Sequence, residues 1–240
     1  MHLTTTTTAP TTNAPEPADP LCLGPDDARR LLAGVPWRRF AAVGDSVAAG
    51  TGDPVDGFLD LGWADRLAGW LAATGEPLAY ANLGVPTLRA GEVLAAQLGP
   101  ALAFRPDLVA VTAGGNDAMR RSFDPAAVQR QLEAIVEPLA ASGATVLTFG
   151  LFDLSRTQFV PVSMRAGLRA RLQELNGLVR RLTEAVDGVH VDFFDHLALD
   201  ESILSADMIH ANRRGHAIIA ADVARALAAH VGEPAPGSAR

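Results

Sequence analysis

The chain contains no lysine; all 20 of its basic residues are arginine. That absence removes two chemistries, a Schiff-base lysine and a phosphate-loop lysine. There is a single cysteine, Cys22, so no intrachain disulfide can form, which fits a reducing compartment. No stretch reaches the roughly 18 consecutive apolar residues that a membrane helix requires. The opening Met1-His2-Leu3, followed by Thr4 to Thr8, has neither a basic nor an apolar region of the kind a secretory signal carries. These readings together predict a cytoplasmic protein without a membrane span. Acidic residues outnumber basic ones, 27 to 20, for a net charge of −7. A nucleic-acid partner, which needs a basic stripe, is therefore not expected.

What remains is an ordinary globular composition, 48% hydrophobic and 20% charged over 240 residues, enough for one α/β domain. Residues 1–20 are rich in Thr, Pro and Ala and carry little that could enter a core, so they read as a disordered tail. Residues 232–240 read as a flexible end, leaving 21–231 as the domain. Within it, apolar runs alternate with amphipathic stretches. Strands are expected at 40–43, 78–83, 108–111, 145–149 and 188–193. Helices are expected at 62–73, 92–98, 125–141 (with Asp124 as N-cap), 164–186 and 213–231. Pro138 is placed to kink or shorten its helix. The alternation predicts an α/β fold with a parallel sheet and helices on both faces. Functional groups in such sheets gather at the carboxyl ends of the strands.

The first strand runs into Gly44-Asp45-Ser46-Val47-Ala48. A serine in a strand-to-helix turn can present its hydroxyl at the sheet edge, beside helix N–H groups able to meet an oxyanion. Position 48 is Ala, so the turn is not the G-x-S-x-G elbow. As an isolated tripeptide it reads equally as a helix N-cap. The second strand ends at Asn82-Leu83-Gly84, where the Gly84 N–H could face the same pocket. The third ends at Gly114-Gly115-Asn116-Asp117, where the Asn116 amide can donate to developing negative charge. Near the end of the chain stands Asp207-Met208-Ile209-His210. In a helical turn this spacing sets a carboxylate beside an imidazole, which it can orient and stabilise when protonated. An unperturbed histidine titrates near ~6.5, suited to base catalysis at neutral pH.

These four blocks, in this order, resemble the SGNH (GDSL-like) hydrolase family over roughly residues 40–219. The resemblance implies a flavodoxin-like three-layer α/β/α sandwich with a parallel central sheet. It also implies Ser46 as nucleophile, His210 as base, Asp207 as its orienting partner, and an oxyanion hole from the Ser46 and Gly84 N–H groups and the Asn116 side chain. No cofactor is implied. Two positions depart from the family pattern: Val47 follows the serine where Leu is usual, and Ala211 follows the histidine where Pro is frequent, with a looser turn expected around His210. The implied reaction is serine-dependent hydrolysis of a small-molecule carboxylic ester through an acyl-enzyme, with small or medium acyl groups favoured. Carbohydrate deacetylation, lysophospholipase or thioesterase activity on the same site, and a catalytically silent binding module, are the alternatives. Oligomeric state is not legible.

His190, Asp192, Asp195 and His196 have the residue types of a metal site but no fixed ligand spacing, and a polar strand end is the preferred reading; no metal is expected. His216 reads as packing or solvated. Residues 50–53, the Trp63 region and residues 152–162 could line an acyl pocket, the last also serving as a lid, with Phe159 and Val160 exposed.

Overall fold

The computed structural model describes residues 16–196 and 201–232. The tail expectation for 1–15 and the flexible end at 233–240 lie outside the described residues. The chain is nonetheless placed earlier than residue 21. Glu16–Ala18 forms a 3-10 turn, and the Glu16 carboxylate is buried in an ion pair with Arg66. A guanidinium out of water needs a counter-charge, and this segment brings one.

Helix α1 (Pro25–Leu31) precedes strand β1 (Arg39–Gly44), followed by a short helix α2 (Ser46–Ala49) and α3 (Trp63–Ala72). Then come β2 (Ala79–Asn82), α4 (Ala90–Phe104), β3 (Leu108–Thr112), α5 (Gly115–Ala118), α6 (Pro125–Ala141), β4 (Thr145–Gly150), α7 (Val162–Ala185), β5 (Val189–Asp192) and α8 (Arg213–Gly232). The five strands are all parallel, in the order β2-β1-β3-β4-β5. Alternate residues of each strand feed opposite layers. Ala41, Val43, Val109 and Val111 pack with α4, α6 and α7. Phe40, Ala42, Leu108 and Ala110 pack with α1, α3 and α8. The result is the three-layer sandwich expected.

Element ends follow local chemistry. Asp124 caps α6 by accepting from the Ala127 N–H. Neither Pro138 nor Pro100 ends its helix: α6 continues to Ala141, and α4 runs six residues past the expected Leu98. Ala101, fully buried beyond Pro100, holds the α4 extension against the core. Trp63 is fully buried against Phe149, with ring centroids 4.6 Å apart. Burying such a side chain contributes about 3 kcal/mol. It does not line the cavity beside Ser46. Its indole N–H donates to Val47 O at 2.8 Å, fixing α2 from below.

The order in which successive strands are added reverses between β1 and β3, and crevices at such switch points hold the ligand sites of open α/β sheets. Ser46 follows β1 and Asn116 follows β3, so the two lie on either side of that point.

Candidate active site

The turn that carries Ser46 is built around Gly44. Its φ is 146°, and a Cβ there would lie 2.0 Å from Thr112 O, so only glycine fits. The buried Gln97 clamps it from α4: Gly44 N–H donates to Gln97 Oε1 at 2.7 Å, and Gln97 Nε2 donates to Gly44 O at 2.8 Å. Asp45, not Ser46, is the N-cap of α2, accepting from Val47 N–H at 3.0 Å. Ser46 is the first residue of α2, where a backbone N–H has no acceptor within the helix. Its side chain faces a cavity.

His210 reaches Ser46 across 164 residues of sequence: Nε2 lies 2.8 Å from Ser46 Oγ. Its Nδ1 lies 2.6 Å from Asp207 Oδ2. With Asp207 ionised, Nδ1 carries the proton and Nε2 is free to accept one from the serine. Partial burial works to raise the Asp207 carboxyl. The hydrogen bonds from the His210 ring and from the His210 and Ile209 N–H groups outweigh it, holding Asp207 below its ordinary value. The expected helical turn is not what brings the pair together. Residues 204–211 form a tight turn closed by an antiparallel bridge between Leu204 and Ala211. Met208 sits at φ 58° within it. Asp207 Oδ1 accepts from the N–H groups of both Ile209 and His210, at 2.9 and 3.0 Å, the pattern of an Asx turn. The bridge also holds the chain at Ala211, where the missing proline had suggested a looser turn.

On the opposite side of Ser46, Asn116 lines the cavity and its Nδ2 donates to Leu88 O at 3.0 Å, with Asp45 Oδ2 3.4 Å away. Gly84 is not placed as expected. Its N–H donates to Asn82 Oδ1 at 2.9 Å, and the residue does not line the cavity. Its lack of a side chain serves packing instead: a Cβ would stand 2.3 Å from Ala49 N. The cavity rim here is formed by Pro86 and Thr87, with Thr87 at φ 72°.

The cavity has a volume of about 280 Å³, near the lower end of small-molecule sites. Beyond Ser46, His210 and Asn116 its walls are mostly apolar: Phe149, Leu151, Phe152, Leu154, Leu172, Phe193, Ile209 and Ile219. Of residues 50–53, Thr51 lines it. Gly52 and Asp53 instead dock on the His210 turn, Asp53 Oδ2 accepting from Ala206 N–H at 2.8 Å. Segment 152–162 supplies Phe152 and Leu154 to the wall. It is tied down by Asp153, fully buried against Arg169, and by Arg165 bonding to Val160 O. Phe159 is exposed, but Val160 is buried, contrary to expectation.

His216 also borders the cavity and is not solvated. Nδ1 accepts from Trp63 N–H at 3.3 Å and Nε2 donates to Thr51 O at 3.1 Å. Burial pushes its pKa down to about 4, fixing it neutral. The residues weighed as metal ligands are engaged separately: Asp192 accepts from Phe194 N–H, Asp195 lies near Arg169, and His196 pairs with Asp222. Among the described residues no group of three or more His, Cys, Asp or Glu is arranged to hold a metal ion. Gln97 went unnoticed in the sequence, Asn82 was read only as part of a strand end, and Asp53 only as possible pocket wall. Each is a lone polar residue whose role exists only through a contact distant in sequence or made by the folded loop.

A search of curated proteins gave no match. Among solved structures the fold is similar to TesA, with 24% identity and a TM-score of 0.65 over 80% of this chain and 99% of that one. It is similar also to LAE5, an alpha/beta hydrolase enzyme from the metagenome of Lake Arreo, Spain (22%, TM-score 0.64, covering 79% and 94%). A third is a catalytic mutant of Axe2, an acetylxylan esterase from Geobacillus stearothermophilus (18%, TM-score 0.65, covering 79% and 94%). Residues 42–218 match the GDSL-like Lipase/Acylhydrolase family, a span that includes every residue lining the cavity except Ile219. The chain belongs to the GDSL-like lipase/acylhydrolase family, and with it to the carboxylic ester hydrolases.

Proposed function

We propose that the protein hydrolyses carboxylic esters through an acyl-enzyme on Ser46. Ser46 Oγ attacks the ester carbonyl carbon as its proton passes to His210 Nε2. The resulting oxyanion accepts from the Ser46 N–H and from Asn116 Nδ2. Collapse breaks the carbon–oxygen bond to the alcohol, which leaves with the proton from His210. Water then attacks the acyl carbon, gives one proton to His210, and the acid departs as that proton returns to Ser46 Oγ. Asp207 holds the tautomer and stabilises the imidazolium in both halves.

The observation that carries this reading is the continuous relay of 2.6 and 2.8 Å from Asp207 through His210 to Ser46, open to a cavity. The limited volume and apolar walls favour small or medium acyl groups. Cys22 is buried and its thiol pushed up to about 12 by burial, then by Asp19 and Glu16. It is therefore no rival to Ser46 as nucleophile. Hydrolysis of p-nitrophenyl esters from acetate to palmitate, for wild type and Ser46→Ala, tests the proposal. Turnover peaking at short or medium chains and lost on the order of a millionfold in the variant is expected. Retained activity in a folded Ser46→Ala protein refutes it. No turnover by folded wild type at any length points to a narrower substrate, such as an acetylated sugar, or to a binding module.

A further inference from the structure

Asp45 lies between the two halves of the oxyanion site, and the reaction as written leaves it without a part. It is 3% exposed. One carboxylate oxygen accepts from Val47 N–H at 3.0 Å, which fixes the N-terminal end of α2 and with it the Ser46 N–H. The other stands 3.4 Å from Asn116 Nδ2. Of the two Asn116 amide hydrogens, Leu88 O takes one at 3.0 Å. The longer contact to Asp45 leaves the second able to be shared with a substrate oxygen.

We propose that Asp45, as a carboxylate, is the positioning residue of the oxyanion site, holding the Asn116 amide and the start of α2 in one frame so that both donors meet the same oxygen. The inference rests on Ser46 being the nucleophile. A carboxylate can accept at both oxygens, whereas the protonated acid gives up part of that capacity, so protonation loosens the frame. The charged groups that act on Asp45 are His210 from the 204–211 turn, which favours the anion, and Asp117 from α5, which opposes it. Burial outweighs the Val47 hydrogen bond and His210, and pushes the carboxyl up to about 6. The loosening therefore falls within a range that kinetics can reach.

The test is the rate at which an alkyl fluorophosphonate labels Ser46 as a function of pH. In this reaction the Oγ–P bond forms, the P–F bond breaks, fluoride leaves, and the serine proton passes to His210. The phosphoryl oxygen occupies the place of the oxyanion, and no ester substrate is needed. On the acid side the base His210 and the carboxylate Asp45 must both be unprotonated for full rate, and protonated Asp45 slows the reaction without stopping it. The wild-type rate therefore falls with decreasing pH by roughly tenfold more than one base alone explains. In Asp45→Asn the extra fall is absent and the plateau rate drops roughly tenfold, the scale of one charge-assisted hydrogen bond. In Asn116→Ala the extra fall is smaller than in wild type, because of the two donors that Asp45 holds only the start of α2 remains. A wild-type profile of one base alone, or an extra fall undiminished in Asn116→Ala, overturns the proposal. Wild type and Asn116→Ala decide the matter even if Asp45→Asn does not fold. No labelling of Ser46 at any pH overturns the nucleophile and this inference together; labelling with the profile of one base overturns this inference alone.

Discussion

His216 makes acid stability calculable. It is 2% exposed, neutral, and bonded through both ring nitrogens, to Trp63 N–H and Thr51 O. Burial lowers its pKa from 6.5 to about 4. The folded value lies below the unfolded one, so as pH falls the unfolded chain takes up the proton first. Stability from His216 is complete above the unfolded value and is lost as pH falls from there to about 4. At about 1.36 kcal/mol per pKa unit, this amounts to about 2 kcal/mol at pH ~5 and about 3 kcal/mol at pH ~4. Asp45 acts with the opposite sign. Its carboxyl is raised from 3.8 to about 6, so its contribution is present below 3.8 and lost as pH rises through 6. The two partly cancel in wild type, and only a difference isolates one of them. His216→Gln removes the titration while keeping an acceptor and a donor. Urea unfolding at pH ~7 should place this variant about 1–2 kcal/mol below wild type, for imperfectly replaced hydrogen bonds. At pH ~5 the deficit should shrink by about 2 kcal/mol. A deficit equal at both pH values refutes the assignment of a buried neutral imidazole.

Glu16→Ala leaves Arg66 buried without its counter-charge and should lower stability by about 3–5 kcal/mol in denaturant unfolding; a loss below about 1 kcal/mol would mean the segment from Glu16 does not dock. Thr87→Gly removes a β-branched residue from the left-handed region and should raise stability by about 0.5–1 kcal/mol, read as an increase in Tm, whereas a fall would show the conformation is unstrained. Asp207→Asn should reduce kcat at least about a hundredfold with little change in KM, measured on the best p-nitrophenyl ester, and an unchanged kcat would remove Asp207 from the relay.

The parts of the fold legible in the sequence were those set by periodicity. Each strand feeds a buried layer on both faces, so runs such as Leu108 to Val111 stand out. Each glycine-marked strand end was placed because a chain leaving a parallel sheet must turn sharply. The proposed catalytic residues could be found because the chemistry assigned to them restricts them to few side chains. What stayed hidden depended on contacts made only in the folded chain. Glu16 reads as tail until Arg66 is seen beneath it. Gly84 has the composition of a pocket glycine, but Asn82, two residues earlier, takes its N–H. The spacing of Asp207 and His210 suits a helix and an Asx turn alike. The choice was made by the Leu204–Ala211 bridge, which no local pattern announces.

That bridge bears on how the site is kept in register. Ser46 and His210 belong to segments far apart in sequence, and no helix or strand joins them. The connection runs through the loop after α2. Asp53 N–H donates to Ser205 Oγ, its carboxylate accepts from Ala206 N–H, and its carbonyl accepts from Arg213 N–H at the start of α8. Arg213 reaches back to Gly50 O. Gly52 allows this contact, since a Cβ there would lie 2.0 Å from Ala211 O. Misplacing reacting groups by an ångström costs on the order of a hundredfold in rate. The 2.8 Å between Ser46 Oγ and His210 Nε2 is therefore set by Gly52 and Asp53 as much as by Ser46 and His210 themselves. Residues 50–53, which the sequence suggested as pocket wall, act mainly as the brace between Ser46 and His210.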